Sequence, residues 1–308
     1  MQTRVPDTLR RHFGDRLKID EPLETYVSFR IGGPADYFVS VRRREDLLTG
    51  IALAESAGLP WLVVGRGSNV LIDDAGFRGL VLRMDAQDLH IDAENGQVTA
   101  EAGVRLPTLG AQTARLGLSG FEFAVGIPGS VGGAVVMNAG AHGGCVADVL
   151  LHADVLRHGE VERWPAAELD YGYRSSRLQS ERGVIVLGAA FQLRQDTPAD
   201  ALARVQSYRR HRQDTQPTDP GAGSIFRNPA NSSSGALIDR AGLKGTTWGG
   251  AQISPKHGNF IVNVGGASSA DVLALIDLAR VTVFDRFGIA LHTEVEIIGP
   301  TGRLARAE

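Results

Sequence analysis

Ala35-Asp36-Tyr37-Phe38-Val39-Ser40-Val41 and Trp61-Leu62-Val63-Val64-Gly65-Arg66-Gly67-Ser68-Asn69-Val70-Leu71-Ile72 bracket the segment that decides the architecture. The first run is rich in β-branched and aromatic residues and reads as a strand. Residues 44–57 follow as a helix, with Leu47, Leu48, Ile51 and Ala54 on one side and Gly58 placed for a left-handed cap. Trp61–Val64 is then a second, short strand. A strand, helix, strand unit of about 30 residues favours a parallel crossover, and with it a nucleotide site at the strand ends. The loop behind the second strand carries glycines at spacing two, which lets backbone N–H groups turn toward one anion, with Arg66, Ser68 and Asn69 as side-chain donors. It is not a dinucleotide fingerprint, because Val70 stands where the third glycine belongs and an apolar, β-branched segment follows instead of a helix start. On this loop alone, a structural turn and a phosphate cradle are both open.

Beyond it the chain changes character. Residues 79–84, 97–102, 152–158, 161–164 and 184–194 read as strands, with one short helix near residues 106–116. Between them lies Gly126-Ile127-Pro128-Gly129-Ser130-Val131-Gly132-Gly133, then Met137-Asn138-Ala139-Gly140-Ala141-His142-Gly143-Gly144. So many glycines are expected to form a loop and not a regular helix or central strand. The small and apolar side chains suit a flat aromatic cofactor lying against backbone. Pro198 opens a helix over residues 199–213 with Leu202, Val205 and Tyr208 on one face, expected to lead into another domain. Residues 235–241 read as helix, 260–264 as strand, and Ser269–Phe287 as a long helix with Ser269 as cap and Gly288 ending it. Residues 291–298 alternate as a strand with Leu291, Thr293, Val295 and Ile297 on one face and His292, Glu294 and Glu296 on the other.

The 308 residues suit two or more packed units. Of 38 glycines, 17 lie between Gly58 and Gly144 and 10 between Gly221 and Gly266, so the excess is local. A balance of 32 basic and 35 acidic residues without long runs argues against a coat for nucleic acid or an anionic membrane. Cys145 alone excludes an internal disulfide and any multi-cysteine metal site. With a charged amino-terminal segment and no long apolar stretch, neither a secretory signal nor a membrane span is expected, and the cytoplasm is the expected location. Neither a nucleoside-triphosphatase loop nor a His-Glu-x-x-His zinc motif is present, and Pro128 spoils a nucleophile elbow at Ser130. The histidines fall into no metal-ligand spacing, so no metal is expected.

Three further groups stand out, each with a plain alternative. Arg174, within Tyr171-Gly172-Tyr173-Arg174-Ser175-Ser176, can pin a carboxylate with its planar fork, or be an ordinary surface arginine. Ser224 sits between a flexible turn and an apolar pair in Gly221-Ala222-Gly223-Ser224-Ile225-Phe226-Arg227-Asn228-Pro229, which also reads as a turn entering a strand. Glu294 fits an exposed edge carboxylate equally well.

Taken together, these blocks resemble the UDP-N-acetylenolpyruvoylglucosamine reductase family. The resemblance begins at Ser28-Phe29-Arg30-Ile31-Gly32-Gly33-Pro34-Ala35-Asp36, takes in the glycine loops and Tyr173-Arg174-Ser175, and continues through Gln216-Pro217 and the block around Ser224. It then includes Ala241-Gly242-Leu243-Lys244-Gly245, Ser254-Pro255-Lys256-His257-Gly258-Asn259-Phe260-Ile261-Val262-Asn263 and Glu294-Val295-Glu296-Ile297-Ile298-Gly299, in order over nearly the whole chain. It implies an α+β fold: an FAD-binding domain of the vanillyl-alcohol oxidase type in two subdomains, residues 1–84 and 85–196, and a carboxyl-terminal α/β substrate domain, residues 197–308. It implies bound FAD, NADPH as reductant, and reduction of UDP-N-acetylglucosamine enolpyruvate to UDP-N-acetylmuramate for peptidoglycan. Arg174, Ser224 and Glu294 are the implied catalytic residues; Asn228, His257, Arg174 and His142 are the implied substrate contacts. Gly65, Arg66, Gly67, Ser68, Asn69, Gly126, Ile127, Pro128, Gly129, Ser130, Gly132, Gly133 and Asn138 are the implied FAD contacts. For Glu294, a protonated hydrogen-bond donor and an orienter of Arg174 are both open. The short spacing of about 50 residues between Arg174 and Ser224 resembles a subfamily without an extra substrate-covering loop. His142 and Cys145 depart from the tyrosine and the acidic residue common there. A monomer is expected. Another FAD-dependent alcohol oxidase or dehydrogenase of the same fold, or a flavin-binding module without turnover, are the alternatives.

Overall fold

The computed structural model describes residues 6–181 and 183–304. The polar amino-terminal segment is a helix, α1 (Asp7–Phe13), and its first five residues lie outside the described ones. Next come β1 (Lys18–Pro22), β2 (Pro34–Val41), α2 (Arg44–Ser56), β3 (Trp61–Val64), β4 (Val70–Ile72) and β5 (Phe77–Met84). β1, β2, β5 and β3 form one sheet in that order, with β2, β5 and β3 parallel. The expected crossover is therefore present. Leu47, Ile51 and Ala54 of α2 are buried against it, and Gly58 takes a φ of +63° just beyond the helix end.

β6 (Leu89–Asp92), β7 (Gln97–Glu101), β8 (Leu150–Arg157), β9 (Glu160–Pro165) and β10 (Ile185–Gln192) build the second sheet, ordered β9, β8, β10, β7, β6 and antiparallel throughout. α3 (Leu106–Arg115) and α4 (Val131–Met137) pack with it. α4 corrects the sequence reading, which took the whole glycine-dense run as loop. Gly132 makes the helix possible here: a Cβ on it would stand 2.9 Å from that of Ala102, so only glycine lets α4 lie this close to the chain after β7. Val131 and Val135 are buried, and tertiary burial outweighs the poor helix propensity of the pair Gly132-Gly133. The two sheets share one core, in which Val39, Leu47 and Leu82 of the first meet Val98, Leu109, Phe121, Val155 and Phe191 of the second.

α5 (Pro198–Thr215) leads to a third unit that holds β11 (Gly221–Ser224), α6 (Ser234–Arg240), β12 (Ala251–Ile253), β13 (Phe260–Asn263), α7 (Ser269–Phe287) and β14 (Glu296–Gly299). β11, β13 and β12 are neighbours in an antiparallel sheet. Its core contains Ile225, Phe226, Leu237, Ile261 and the α7 stripe Val272, Ile276, Ala279 and Val283, together with Phe29, Ile31 and Leu71 from the beginning of the chain. α5 packs backward onto α3 through Ala114, Val125, Ala201 and Val205. The cap of α7 is Ser268, not Ser269: the Ser268 hydroxyl accepts from the Asp271 N–H and the Asp271 carboxylate accepts from the Ser268 N–H. Ser269 instead donates its N–H and hydroxyl to Asp74 of the first unit.

The expected strand over residues 291–298 is regular only in its second half. There β14 runs parallel to β4, with Glu296 opposite Val70 and Ile298 opposite Ile72. Residues 291–295 cross between units, so their hydrogen bonds go to a loop: the Glu294 N–H donates to Ile225 O and the Arg227 N–H to His292 O. Leu291, Thr293 and Val295 are buried, as the alternation requires.

Candidate active site

The two glycine loops meet at the carboxyl ends of β3 and β5. A Cβ on Gly65 would stand 2.5 Å from Ser130 Oγ, and one on Gly129 would stand 3.0 Å from Ser68 Oγ. Gly67 has a φ of +61° with Tyr26 O 2.6 Å from its missing Cβ, which ties the loop down onto the start of the chain. Above the junction opens a cavity of about 420 Å³ lined by residues of all three units. That volume is ordinary for a small-molecule site. Gly65, Arg66, Gly67, Ser68, Asn69, Gly126, Ile127, Pro128, Gly129, Ser130, Gly132 and Gly133 all line it. A Cβ at Gly133 would find only Ser130 Oγ, at 4.0 Å, and one at Gly126 only Arg212 Cδ, at 3.6 Å, so bare backbone faces the space. A long, flat dinucleotide with a diphosphate fits such a wall of N–H groups and small side chains.

Arg174, Ser224 and Glu294, from three distant stretches, line the same cavity. Arg174 holds a φ of +53° and lies 3.1 Å through Nε from a Glu294 carboxylate oxygen. Its Nη1 donates to Asn138 O and its Nη2 to Gly140 O. One N–H on each Nη is left, a pair able to grip a carboxylate end-on. Ser224 ends β11, opposite Phe260. The glycine loop is fastened to the strand that carries the glutamate, since Asn69 Nδ2 donates to Glu294 O at 3.1 Å and the Glu296 N–H to Asn69 O at 3.0 Å.

Asn228 and His142 also line the cavity. His142 stacks flat on Tyr208, with ring centres 4.1 Å apart, and meets His211 edge-on. Burial, and then His211, hold its pKa below the ordinary histidine value. Asn138 and His257 are not among the lining residues. Asn138, in a left-handed conformation at the end of α4, donates to Gly172 O and accepts from the Ala147 N–H, and so braces the loop that carries Arg174. His257 accepts the Asn259 N–H at Nδ1 and packs on Phe260, and both of those neighbours line the cavity. Arg212 escaped the sequence reading because a cation on a polar helix looks like solvated surface; it lines the cavity, and burial lowers its pKa.

The chain is similar to known proteins over nearly its whole length. A family model for the UDP-N-acetylenolpyruvoylglucosamine reductase C-terminal domain matches residues 216–298, and one for an FAD binding domain matches residues 35–163. The UDP-N-acetylenolpyruvoylglucosamine reductase of Bacillus velezensis is 42% identical over 301 residues, covering 97% of this chain and 99% of that protein. That of Bacillus subtilis is 44% identical over 304 residues, with 97% and 99% covered. The crystal structure of the Thermus caldophilus UDP-N-acetylenolpyruvylglucosamine reductase superposes with a TM-score of 0.78 at 37% identity, over 91% of this chain and 97% of that one.

Proposed function

The chain belongs to the UDP-N-acetylenolpyruvoylglucosamine reductase family, and on that premise we propose how its residues divide the reaction. It is an FAD-containing, NADPH-dependent oxidoreductase that converts UDP-N-acetylglucosamine enolpyruvate to UDP-N-acetylmuramate in peptidoglycan synthesis. FAD, when bound, would supply the two-electron chemistry that links oxidation of NADPH to reduction of the enolpyruvyl double bond. Reduction at C3 leaves negative charge on C2 that spreads into the carboxylate. Arg174 meets that charge with its two remaining Nη hydrogens, and Glu294 orients the guanidinium from the Nε side. Ser224 gives its hydroxyl proton to C2, since a hydroxyl stays protonated at neutral pH. Asn228 and His142 contact the substrate directly, while His257 acts through Asn259. Arg212 meets an anionic group of either substrate. The backbone of residues 65–69 and 126–133 would hold the cofactor, while Asn138, outside the cavity, braces the loop that carries Arg174.

The observation that carries this reading is that Arg174, Ser224 and Glu294 open on the one cavity walled by both glycine loops. The division into residues 1–84, 85–196 and 197–308 is kept as a functional one: α5 leans on the flavin side while the sheet bearing Ser224 begins at Gly221. Among the described residues no helix is long and apolar enough to cross a membrane, and we place the enzyme in the cytoplasm as a monomer. The deciding test is Ser224→Ala in anaerobic half-reactions. NADPH should bleach the flavin of the variant at the parent rate, and recolouring by the enolpyruvyl UDP-sugar should slow by about 10²–10⁴-fold. Equal loss in both halves sinks the proton-donor role.

A further inference from the structure

Glu122 is a buried carboxylate outside the cavity, and the groups that answer its charge come from two directions. Its Oε2 accepts the Gly120 N–H at 2.7 Å, and its Oε1 accepts from Nε and Nη2 of Arg204 at 3.0 and 2.8 Å. Burial alone would push the Glu122 carboxyl up, but the Gly120 N–H, its own N–H and then Arg204 hold it below the ordinary range. Arg204 Nη2 also donates to Asp196, just before α5 begins. One guanidinium thus ties α5 to the short helical turn Glu122–Gly126, which runs directly into the second glycine loop. From Arg204 the same side of α5 continues at helical spacing through Tyr208, His211 and Arg212. Tyr208 carries the stack with His142, and Arg212 Cδ stands 3.6 Å from the missing Cβ of Gly126. Gln216, at the end of the helix, lines the cavity beside Arg212, and its buried Oε1 has no hydrogen-bond partner among the described residues. The face pinned at Arg204 therefore ends, about 12 Å of helix further on, in groups with unmet demand at the cavity wall. The other hold on α5 is the apolar packing of Ala201 and Val205 with Ala114 and Val125. Such contacts are non-directional, whereas an ion pair hydrogen-bonded through two nitrogens fixes register.

We propose that Arg204 is a positioning residue for substrate binding: paired with Glu122, it locks α5 against the second glycine loop so that Arg212 meets an anionic group of the UDP-sugar and Gln216 accepts from one of its hydroxyl or N–H groups. The assignment rests on the reading of Arg212 given above. Neither Arg204 nor Glu122 lines the cavity, so both act through the placement of α5. A displacement of about 1 Å is enough to weaken a charged contact of this kind. Arg174, Ser224 and Glu294 stand on other elements and keep their arrangement when the pair is lost.

The test is steady-state kinetics of the holoenzyme, with the enolpyruvyl UDP-sugar varied at saturating NADPH. Arg204→Gln should raise KM about tenfold with kcat kept within about twofold, and Arg204→Lys, which keeps one charge opposite Glu122, should fall between parent and Gln variant. Removing one partner strands a buried charge, so the pair variant Glu122→Gln with Arg204→Gln guards against loss of the fold. It should show the same raised KM at the parent's flavin content. In an Arg212→Gln background, Arg204→Gln should add less than about twofold, because both changes act on one contact. A parent KM in Arg204→Gln or in the pair variant overturns the proposal. So does a further rise of about tenfold in the Arg212→Gln background, which marks an independent packing effect. A fall in kcat as large as the rise in KM overturns it as well. Arg212→Gln with the parent KM brings down the reading of Arg212 itself, a failure seen without any change at Arg204.

Discussion

Arg174 works from a backbone conformation that side chains rarely adopt, and its Nε, Nη1 and Nη2 each have a protein acceptor. That combination fixes the plane of the guanidinium before any ligand arrives. A lysine offers one compact ammonium and no plane, so Arg174→Lys should slow flavin reoxidation by about 10²–10³-fold, measured by stopped-flow absorbance, with reduction by NADPH kept. His257 answers to pH instead. Burial and then Lys244 hold its pKa below the ordinary value. The unfolded chain therefore binds the proton more readily, and stability is full above about pH 6.5 and declines as pH falls through that value. The urea midpoint of the parent should drop between about pH 7 and pH 5, and drop less in His257→Asn, whose amide oxygen can still accept the Asn259 N–H. Equal slopes would remove His257 as the cause. That Arg174, Ser224, Glu294 and the glycine-loop residues would share one cavity followed from the resemblance of their blocks taken in order, since each residue alone also read as an ordinary surface or turn position. Asn138 and His257 lie in equally dense motifs, yet turn their hydrogen bonds to backbone beside the cavity. Position in a motif does not say which way a side chain faces.

At the scale of elements, α7 shows how a local rule can be right in kind and displaced by one residue. Two consecutive serines precede the apolar stripe, and the one in extended conformation, Ser268, takes the cap. Ser268→Ala should cost about 0.5–2 kcal/mol in urea unfolding. Its partner Asp271 is held below the ordinary carboxylate range by the backbone N–H groups of Ser268 and Gly250. This contribution is present above about pH 4 and lost as pH falls further, so the stability gap between the parent and Asp271→Asn should close toward about pH 3. The strand, helix, strand start and the long helix were readable from periodicity over many residues. α4 was not, because seven residues give hardly two turns of pattern and its glycines argue for a loop until Ala102 is seen against them.

Across the whole molecule, the sharing of cores between distant stretches of chain is not visible in the sequence. Phe29, Ile31 and Leu71 look like any apolar residues of an early segment, and nothing local says that they are buried with Phe226 and Val272. Phe29 is fully buried there. Phe29→Ala should cost about 3–5 kcal/mol, and flavin fluorescence and far-UV circular dichroism should report one coincident transition. Two separated transitions would mean that the third unit melts by itself. The hydrogen bond from Asn69 to Glu294 spans 225 residues of chain. On a ribosome adding about 5–20 residues per second, the glycine loop waits roughly 11–45 s for the strand that fastens it. Flavin is thus expected to be secured only after residue 294 has been added, and nascent chains stalled short of it should pellet colourless with their ribosomes.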